Sequence, residues 1–99
     1  MTYGYLAANI VVTHPERCQT YRQRVPEVIA QYGGRYLVRA GAVANVEDEL
    51  GVDRWVVLES PSVQDAWNFY KSPEYAPLLE LRRETTLSRV VIVEGFTDG

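Results

Sequence analysis

The stretch Tyr32–Gly41, YGGRYLVRAG, joins the end of a predicted helix to the start of a predicted strand. Ahead of it, apolar residues recur at steps of three and four, which places them on one face of a helix. The glycine pair Gly33-Gly34 interrupts this spacing, so we expect one of the two glycines to end the helix in a left-handed conformation. The next segment, Arg35–Val43, is rich in β-formers and is predicted to be a strand.

The helix before the glycine pair has a clear beginning and an unusual interior. In THPE, Thr13–Glu16, the proline and the acidic residue both favour the first turn of a helix. Either Thr13 or His14 is expected to cap it. Pro26 lies inside the same helix and is expected to kink it, because proline has no amide hydrogen to donate.

The rest of the chain supplies three more strands and a second helical region. The strands are predicted at Tyr3–Val12, Arg54–Ser60 and Ser88–Glu94. The helical region begins in SPSVQDAWNFY, is interrupted at Ser72-Pro73, and resumes in EYAPLLELRRET. The acidic segment NVEDELGVD is predicted to be a solvated hairpin loop, with Gly51 as its turn residue.

This order, β-α-β-β-α-β, is typical of one fold class. It predicts an α+β, ferredoxin-like domain over residues 1–99, with a four-stranded antiparallel sheet in the order 4-1-3-2. Both helices should then cover one face of the sheet. A chain of 99 residues, 46% of them hydrophobic, is long enough for one compact domain.

Residues along each strand alternate between the two faces of the sheet. The helices should cover the apolar set. The other set is polar and aromatic, and consists of Tyr5, Asn9, Arg35, Arg39, Trp55, Glu59 and, near the end of the last strand, Glu94. Such a face is too polar for a dry core and too aromatic for full exposure to water. We therefore expect a second sheet to pack against it and to enclose a pocket.

Composition and charge exclude several classes of protein. The net charge of −3 argues against a nucleic-acid partner, because phosphate binding requires a basic face. No apolar run approaches the roughly 20 residues of a membrane span, and the N-terminal residues do not resemble a signal peptide. Cys18 is the only cysteine, so we expect no internal disulfide and a location in the reducing cytoplasm.

Metal and haem chemistry are not expected. His14 is the only histidine and lies at a helix start, and no His/Cys cluster has the spacing of metal ligands. Cys18 belongs to the apolar face of its helix, so a buried, inert thiol is the expected interpretation.

Three runs resemble family 1330 of the domains of unknown function: YRQRVPEVIAQYGGRYLVRAG, VVLESPSVQDAWNFYKSPEYAPLLELRR and RVVIVEG. The resemblance covers nearly the whole chain, and its most specific parts are GGRYLVR-x-G, SPEY and the final VEG. It implies a dimeric α/β barrel, in which two ferredoxin-like units pack sheet to sheet as a homodimer. That superfamily includes cofactor-independent monooxygenases, muconolactone isomerases, polyketide cyclases, haem-degrading enzymes and chlorite dismutases.

Two residues are the candidate catalytic pair. Arg39 and Glu59 are predicted to be neighbours on the same face of a hairpin. Arg39 would anchor a substrate carboxylate or enolate, and Glu59 would hold Arg39 or act as a base. Alternatively, the two form a structural ion pair of little energetic weight.

Five further residues are candidate substrate contacts. Tyr5 and Asn9 could donate hydrogen bonds to an oxyanion, or could be polar groups at a wet dimer interface. Trp55 adds an aromatic surface to the same face. Tyr75, in SPEY, could close one end of the pocket, or pack in the core. Arg82 could reach the pocket mouth, or lie on a solvated helix face.

Two functions of different classes follow. The first is a small enzyme without cofactor that acts on an organic acid or a polyketide-like carbonyl compound, as a monooxygenase, isomerase or cyclase. The second is a non-catalytic homodimer that binds a ligand or only buries its sheets. A pocket deep enough for a small molecule would favour the first.

Overall fold

The computed structural model describes residues 2–47 and 54–97. Along the chain its elements are β1 (Gly4–Val12), α1 (Pro15–Gln31), β2 (Arg35–Arg39), β3 (Arg54–Ser60), α2 (Val63–Tyr70), α3 (Ala76–Thr85) and β4 (Thr86–Glu94). The second helical region is two helices, as the Ser72-Pro73 interruption predicted. The predicted loop residues 48–53, Gly51 among them, lie outside the described residues.

The strands form one antiparallel sheet in the order β2-β3-β1-β4. This is the predicted ferredoxin-like arrangement, so the fold prediction is confirmed. The central strand β1 pairs with β3 on one side and with β4 on the other, while β2 and β4 are the two edges. No described helix combines the length and the apolar character that crossing a bilayer requires.

All three helices pack on the sheet face formed by the even-numbered residues of β1. The core cluster joins Leu6, Ala8 and Leu58 of the sheet to five residues of or near the helices: Val25, Ile29, Phe69, Tyr75 and Leu78. Gly4 allows β1 to lie close to the start of α2, because a Cβ built at Gly4 would be 2.6 Å from the carbonyl oxygen of Ser62. None of the described helices lies on the opposite face of the sheet, which is called the helix-free face below.

The end of α1 is set by Gly33. Its φ of 80° lies in the left-handed region, and Gly34 does not share this conformation. The amide of Gly33 donates to the carbonyl of Ala30, and the amide of Gly34 donates to that of Ile29, both at 3.0 Å. These two bonds form a Schellman motif. The left-handed glycine is therefore the first of the pair.

The start of α1 differs in part from expectation, whereas the interior proline lies where it was predicted. His14 is the capping residue by position, but its side chain makes no capping hydrogen bond. Instead its Nδ1 lies 3.0 Å from the hydroxyl of Thr13. The helix continues through Pro26 to Gln31. Because proline has no amide hydrogen, the carbonyl four residues earlier, that of Arg22, receives no bond from it.

Strand β2 departs from the predicted strand in length and in register. It ends at Arg39 and not at Val43, because Ala40 has a φ of 56° that interrupts the extended backbone. Tyr36 pairs with Leu58, but Val38 pairs with Val57, so one extra residue is present between them.

A bulge of this kind reverses the alternation of side chains beyond it. Arg39 consequently pairs with Val56, whose neighbours in the sheet face the helices. The prediction that Arg35 and Arg39 share a face is therefore wrong. Strand β4 also begins earlier than predicted, at Thr86, directly after α3.

Candidate functional site

A cavity of about 530 Å³ lies between the sheet and the helices. Its volume falls within the range of small-molecule sites in proteins. Its apolar walls come from the even-numbered residues of β1, from Val56 and Leu58 of β3, and from the helices. Its polar lining includes Tyr21, Arg22, Tyr36, Arg39, Arg54, Tyr70, Tyr75 and Arg82. The predicted pocket was on the helix-free face, so the structure places the large cavity on the opposite side of the sheet.

Arg82 is the most buried of the charged residues that line this cavity. The residue is only 5% exposed, although arginine is rarely buried unless it is paired. Its Nε donates to the phenolic oxygen of Tyr75 at 3.3 Å, and its Nη1 donates to the hydroxyl of Ser88. Arg82 is thus tied to α3, β4 and the turn before α3 at once.

The partners of Arg82 are uncharged at neutral pH. Within residues 2–47 and 54–97, no carboxylate forms a salt bridge with it. Burial lowers the pKa of Arg82, but its interactions with the neighbouring phenols, first Tyr75 and then Tyr21 and Tyr70, raise it by more. The guanidinium therefore stays protonated at neutral pH. A buried cation without a counter-ion is costly, and an anion in the cavity would offset that cost.

Tyr75 and Tyr21 complete what we call the buried anion site, which consists of Arg82, Tyr75 and Tyr21. The two phenolic oxygens are 2.8 Å apart and share one hydrogen bond. Burial is the main cause, and the proximity of Tyr75 the second, of a pKa of Tyr21 well above its ordinary value. Tyr21 therefore keeps its proton at neutral pH.

The hydroxyl hydrogens of this pair can be counted. Two phenols carry two hydroxyl hydrogens, and their mutual bond uses only one of them. Tyr75 also accepts from Arg82, and no second acceptor for either phenol is found among the described residues. One phenolic hydrogen thus remains for a ligand oxygen. A guanidinium and a phenol that line one cavity are suited to stabilising an oxyanion.

Arg39 reaches the same cavity from the β2 edge. Its guanidinium carbon lies 4.7 Å from the centre of the Tyr36 ring, a cation–π distance. Its Nη2 donates at 2.8 Å to the carbonyl oxygen of Arg22. That carbonyl is the one that Pro26 leaves without an intrahelical donor. Pro26, which was predicted to kink the helix, therefore leaves the Arg22 carbonyl free to accept the hydrogen bond that holds Arg39 against α1.

The predicted partner of Arg39 is bonded elsewhere. On the helix-free face, Glu59 accepts from Nε of Arg35 at 2.9 Å and from the hydroxyl of Tyr5 at 3.2 Å. Burial, and next the Glu59 hydrogen bond, raises the pKa of Tyr5. The predicted Arg39–Glu59 pair is thus wrong, because the bulge in β2 puts Arg39 on the helix side and leaves Arg35 opposite Glu59.

The seven candidate residues fall into two groups. Arg39, Tyr75 and Arg82 line the cavity between sheet and helices. Tyr5, Asn9, Trp55 and Glu59 belong to the odd-numbered residues of β1 and β3 and do not line it. The catalytic and binding roles assigned to all seven remain predictions.

Sequence patterns did not identify five polar residues of the cavity lining: Tyr21, Arg22, Tyr36, Arg54 and Tyr70. Tyr21 and Tyr36 belong to the apolar faces of α1 and β2, and their hydroxyl groups were the available signal. A phenol on a buried face needs a hydrogen-bond partner, so it marks a polar position inside the core. Cys18 is 3% exposed and borders the cavity, where its buried thiol is consistent with the expected interpretation. Within the described residues, no group of three or more potential metal ligands is found.

The architecture defines a class of fold: a ferredoxin-like unit with the described helices on one face of a four-stranded antiparallel sheet. Residues 3–96 match the family described as Domain of unknown function (DUF1330), and the chain belongs to that family. The predicted family resemblance is thereby confirmed.

Solved structures share this fold at low sequence identity. A protein of unknown function from Rhodopseudomonas palustris, RPA0582, is 14% identical with a TM-score of 0.77, and the match covers 97% of this chain and 84% of that one. SnoaB, a cofactor-independent oxygenase from Streptomyces nogalater, is 13% identical with a TM-score of 0.62, over 98% of this chain and 96% of that one.

A third structure, provisionally described as an antibiotic biosynthesis monooxygenase from Nitrosomonas europaea, is 10% identical with a TM-score of 0.56, over 99% of this chain and 95% of that one. At these identities the likeness concerns the fold alone. No protein with a curated description matches the sequence.

Proposed function

We propose that this protein binds a small acidic carbonyl compound, as its carboxylate or enolate, in the cavity between sheet and helices. The negative oxygen lies at the buried anion site, where it accepts from Arg82 and from the remaining phenolic hydrogen of the Tyr21–Tyr75 pair. The observation that carries the proposal is the 5% exposure of Arg82 combined with its uncharged partners. Cationic surroundings favour the ionised form of a bound acid, so the site lowers the pKa of an enol or phenol.

The reaction that fits this site best begins from a bound enolate. SnoaB, which shares the fold, is described as a cofactor-independent oxygenase. In the corresponding reaction here, an activated CH₂ group and O₂ would give a C=O group and water, with the carbon oxidised by the four electrons that O₂ takes up. The chain's own part is to hold the enolate, to stabilise its oxygen by two donors and to keep apolar walls around it.

A non-catalytic, ligand-binding function is the second candidate. It is favoured by the composition of the cavity lining, which contains neither a carboxylate nor an imidazole among the described residues. A general base with a pKa near neutrality is thus not identified there. An enzyme of this kind must act on a substrate acidic enough to ionise with water as the proton acceptor.

Binding and turnover are separated by two measurements. Calorimetric titration with carboxylates and enolisable ketones measures binding to the wild type, to Arg82→Met and to Arg83→Met. Arg83 is the matched control, because it is the next residue on α3 and is exposed. We expect Arg82→Met to lose at least tenfold in affinity and Arg83→Met to stay within twofold. Equal affinity in all three proteins would refute the anion site.

Oxygen uptake with an anthrone, a tricyclic ketone with an acidic CH₂ group, tests catalysis. Stoichiometric uptake that the protein accelerates, and that Arg82→Met reduces, supports the oxygenase. Binding without any acceleration supports the ligand-binding alternative.

A homodimer through the helix-free face is the proposed assembly. Four apolar residues of β1 and β4 are exposed there: Val11 (40%), Leu87 (69%), Val91 (55%) and Val93 (50%). They lie on two adjacent strands, where Val91 pairs with Ala7 and Leu87 with Val11. The face is mixed, because the polar pair Asn9–Arg89 lies between the two apolar pairs, and a face with this many exposed apolar side chains marks an interaction site. A second copy would cover it, and Tyr5, Asn9, Trp55 and Glu59 would then be interface residues.

A further inference from the structure

Two groups of positive charge border the cavity from opposite edges of the sheet. Arg82 donates to Ser88 on β4, whereas Arg39 is on β2, and these strands are the two edges. Three strand spacings separate β2 from β4, so the backbones of these two strands are roughly 14 Å apart. Both side chains nevertheless line the same cavity. The cavity therefore extends across the sheet between two cationic ends.

The end at β2 consists of Arg22, Arg39 and Arg54, which we call the outer arginines. Arg39 is held in place on two sides, by the Tyr36 ring and by the carbonyl oxygen of Arg22. Nε of Arg22 is buried and has no hydrogen-bond partner among the described residues. A buried N–H without a partner costs free energy, and few exist in folded proteins. Arg39 and Arg54 are exposed residues that line the cavity, so a ligand carboxylate can reach them.

We propose that the cavity selects ligands with two acidic groups, one at the buried anion site and the other at the outer arginines. The inference rests on the proposed function for the first group and adds the second. It names the ligand class as an elongated dicarboxylate, or a carbonyl compound whose enolisable group and carboxylate lie at opposite ends. The apolar walls of β1 and β3 contact the part between them.

Pro26 has a positioning role in this arrangement. An ordinary residue there would donate its amide hydrogen to the carbonyl of Arg22, as in any α-helix. That bond would compete with the one from Arg39. Proline removes the competitor, so the Arg22 carbonyl is left for Arg39, whose guanidinium is kept at the cavity.

Straight-chain dicarboxylates from succinate to sebacate provide the test, each beside the monocarboxylate with the same number of carbons. Without a second cationic end, replacing a terminal methyl by a carboxylate would weaken binding, because a charge would enter an apolar cavity. If the second cationic end exists, the dicarboxylate whose length matches the cavity should bind at least tenfold more tightly than the monocarboxylate with the same number of carbons. Calorimetry at low ionic strength measures both constants.

Variants locate the second group. Arg39→Met should abolish the preference for the dicarboxylate, so that the affinities for each dicarboxylate and its monocarboxylate become similar. Arg24→Met, an exposed position on α1, is the matched control and should change neither. Pro26→Ala should weaken the dicarboxylate severalfold without affecting the monocarboxylate. Circular dichroism and thermal melting confirm that each variant is folded.

The outcomes separate this inference from the proposed function. If monocarboxylates bind and no dicarboxylate binds more tightly, the second acidic group is refuted and the proposed function stands. If neither series binds, both are refuted. An Arg39→Met protein that loses both series equally would contradict a separate outer site. An unchanged dicarboxylate affinity in Pro26→Ala would overturn the role given to Pro26.

Discussion

Replacing Arg82 by methionine removes a buried guanidinium while keeping a long, flexible side chain in its place. If Arg82 exists to bind a ligand, the protein without ligand should tolerate this change. If it exists to join α3 to β4, the change should destabilise the fold strongly. The two interpretations therefore predict different unfolding free energies.

The magnitude follows from the contacts of Arg82. Two hydrogen bonds from a charged donor are lost, each worth about 1.5–3 kcal/mol. The desolvation of a cation at 5% exposure, which costs several kcal/mol, is removed at the same time. Tyr75 keeps its hydrogen bond to Tyr21. The Ser88 hydroxyl keeps its hydrogen bond with the Thr86 hydroxyl, 3.3 Å away. These contributions offset one another, so we expect a change of no more than about 2 kcal/mol in either direction.

Urea denaturation without ligand measures this change, with Arg83→Met expected within about 0.5 kcal/mol of wild type. A saturating ligand should then distinguish the proteins. At a hundred times its wild-type dissociation constant the ligand stabilises the wild type by about 2.7 kcal/mol, whereas Arg82→Met, which binds at least tenfold more weakly, should gain no more than about 1.4 kcal/mol. A loss above about 3 kcal/mol without ligand would mean that Arg82 is structural, because breaking a buried charge network has that cost.

The remaining predictions concern other parts of the molecule. Gly33→Ala should destabilise by about 1 kcal/mol, because its left-handed φ is unfavourable for a residue with a Cβ; a thermal melt equal to wild type would contradict this. The unfolding free energy should fall as pH rises above the ordinary phenol pKa of 10.0, since burial and Tyr75 raise the pKa of Tyr21 in the folded state. Tyr21→Phe should make that fall shallower, and an identical pH profile would refute the assignment. Glu59→Gln should cost less than about 1 kcal/mol, because the guanidinium it pairs with is 70% exposed; a loss of 3 kcal/mol or more would show that the pair is structural. We expect the wild type to form the proposed dimer in analytical ultracentrifugation and Val91→Arg to be a monomer, whereas a wild-type protein that is monomeric at micromolar concentration would exclude the proposed interface.

The order of elements and the sheet topology were predictable because each depends on local signals. Glycine and proline mark the ends of the helices, and alternation marks β1 and β3. The strand order then follows from the few ways in which β-α-β-β-α-β can be connected. Tyr75 and Arg82 were also identified as candidates. Packing of Tyr75 in the core was one of the two alternatives given for it, whereas neither alternative for Arg82 placed it in a buried position.

The bulge in β2 is the point where prediction from sequence failed. Side-chain alternation has a period of two, so one extra residue transfers every later side chain to the other face. The segment Arg35–Arg39 has no glycine or proline within it to indicate this. Arg39 was accordingly placed beside Glu59, and with it the whole pocket was placed on the helix-free face. The contact between Arg39 and α1 depends on packing between elements far apart in the chain.

A crystal structure of the protein with a bound dicarboxylate or enolisable carbonyl compound tests the central claim most directly. The account predicts ligand density between the sheet and the helices, with an acidic oxygen in hydrogen-bonding distance of the Arg82 guanidinium and of Tyr75 or Tyr21. Density on the helix-free face beside Glu59 and Trp55, with an empty cavity around Arg82, would contradict it.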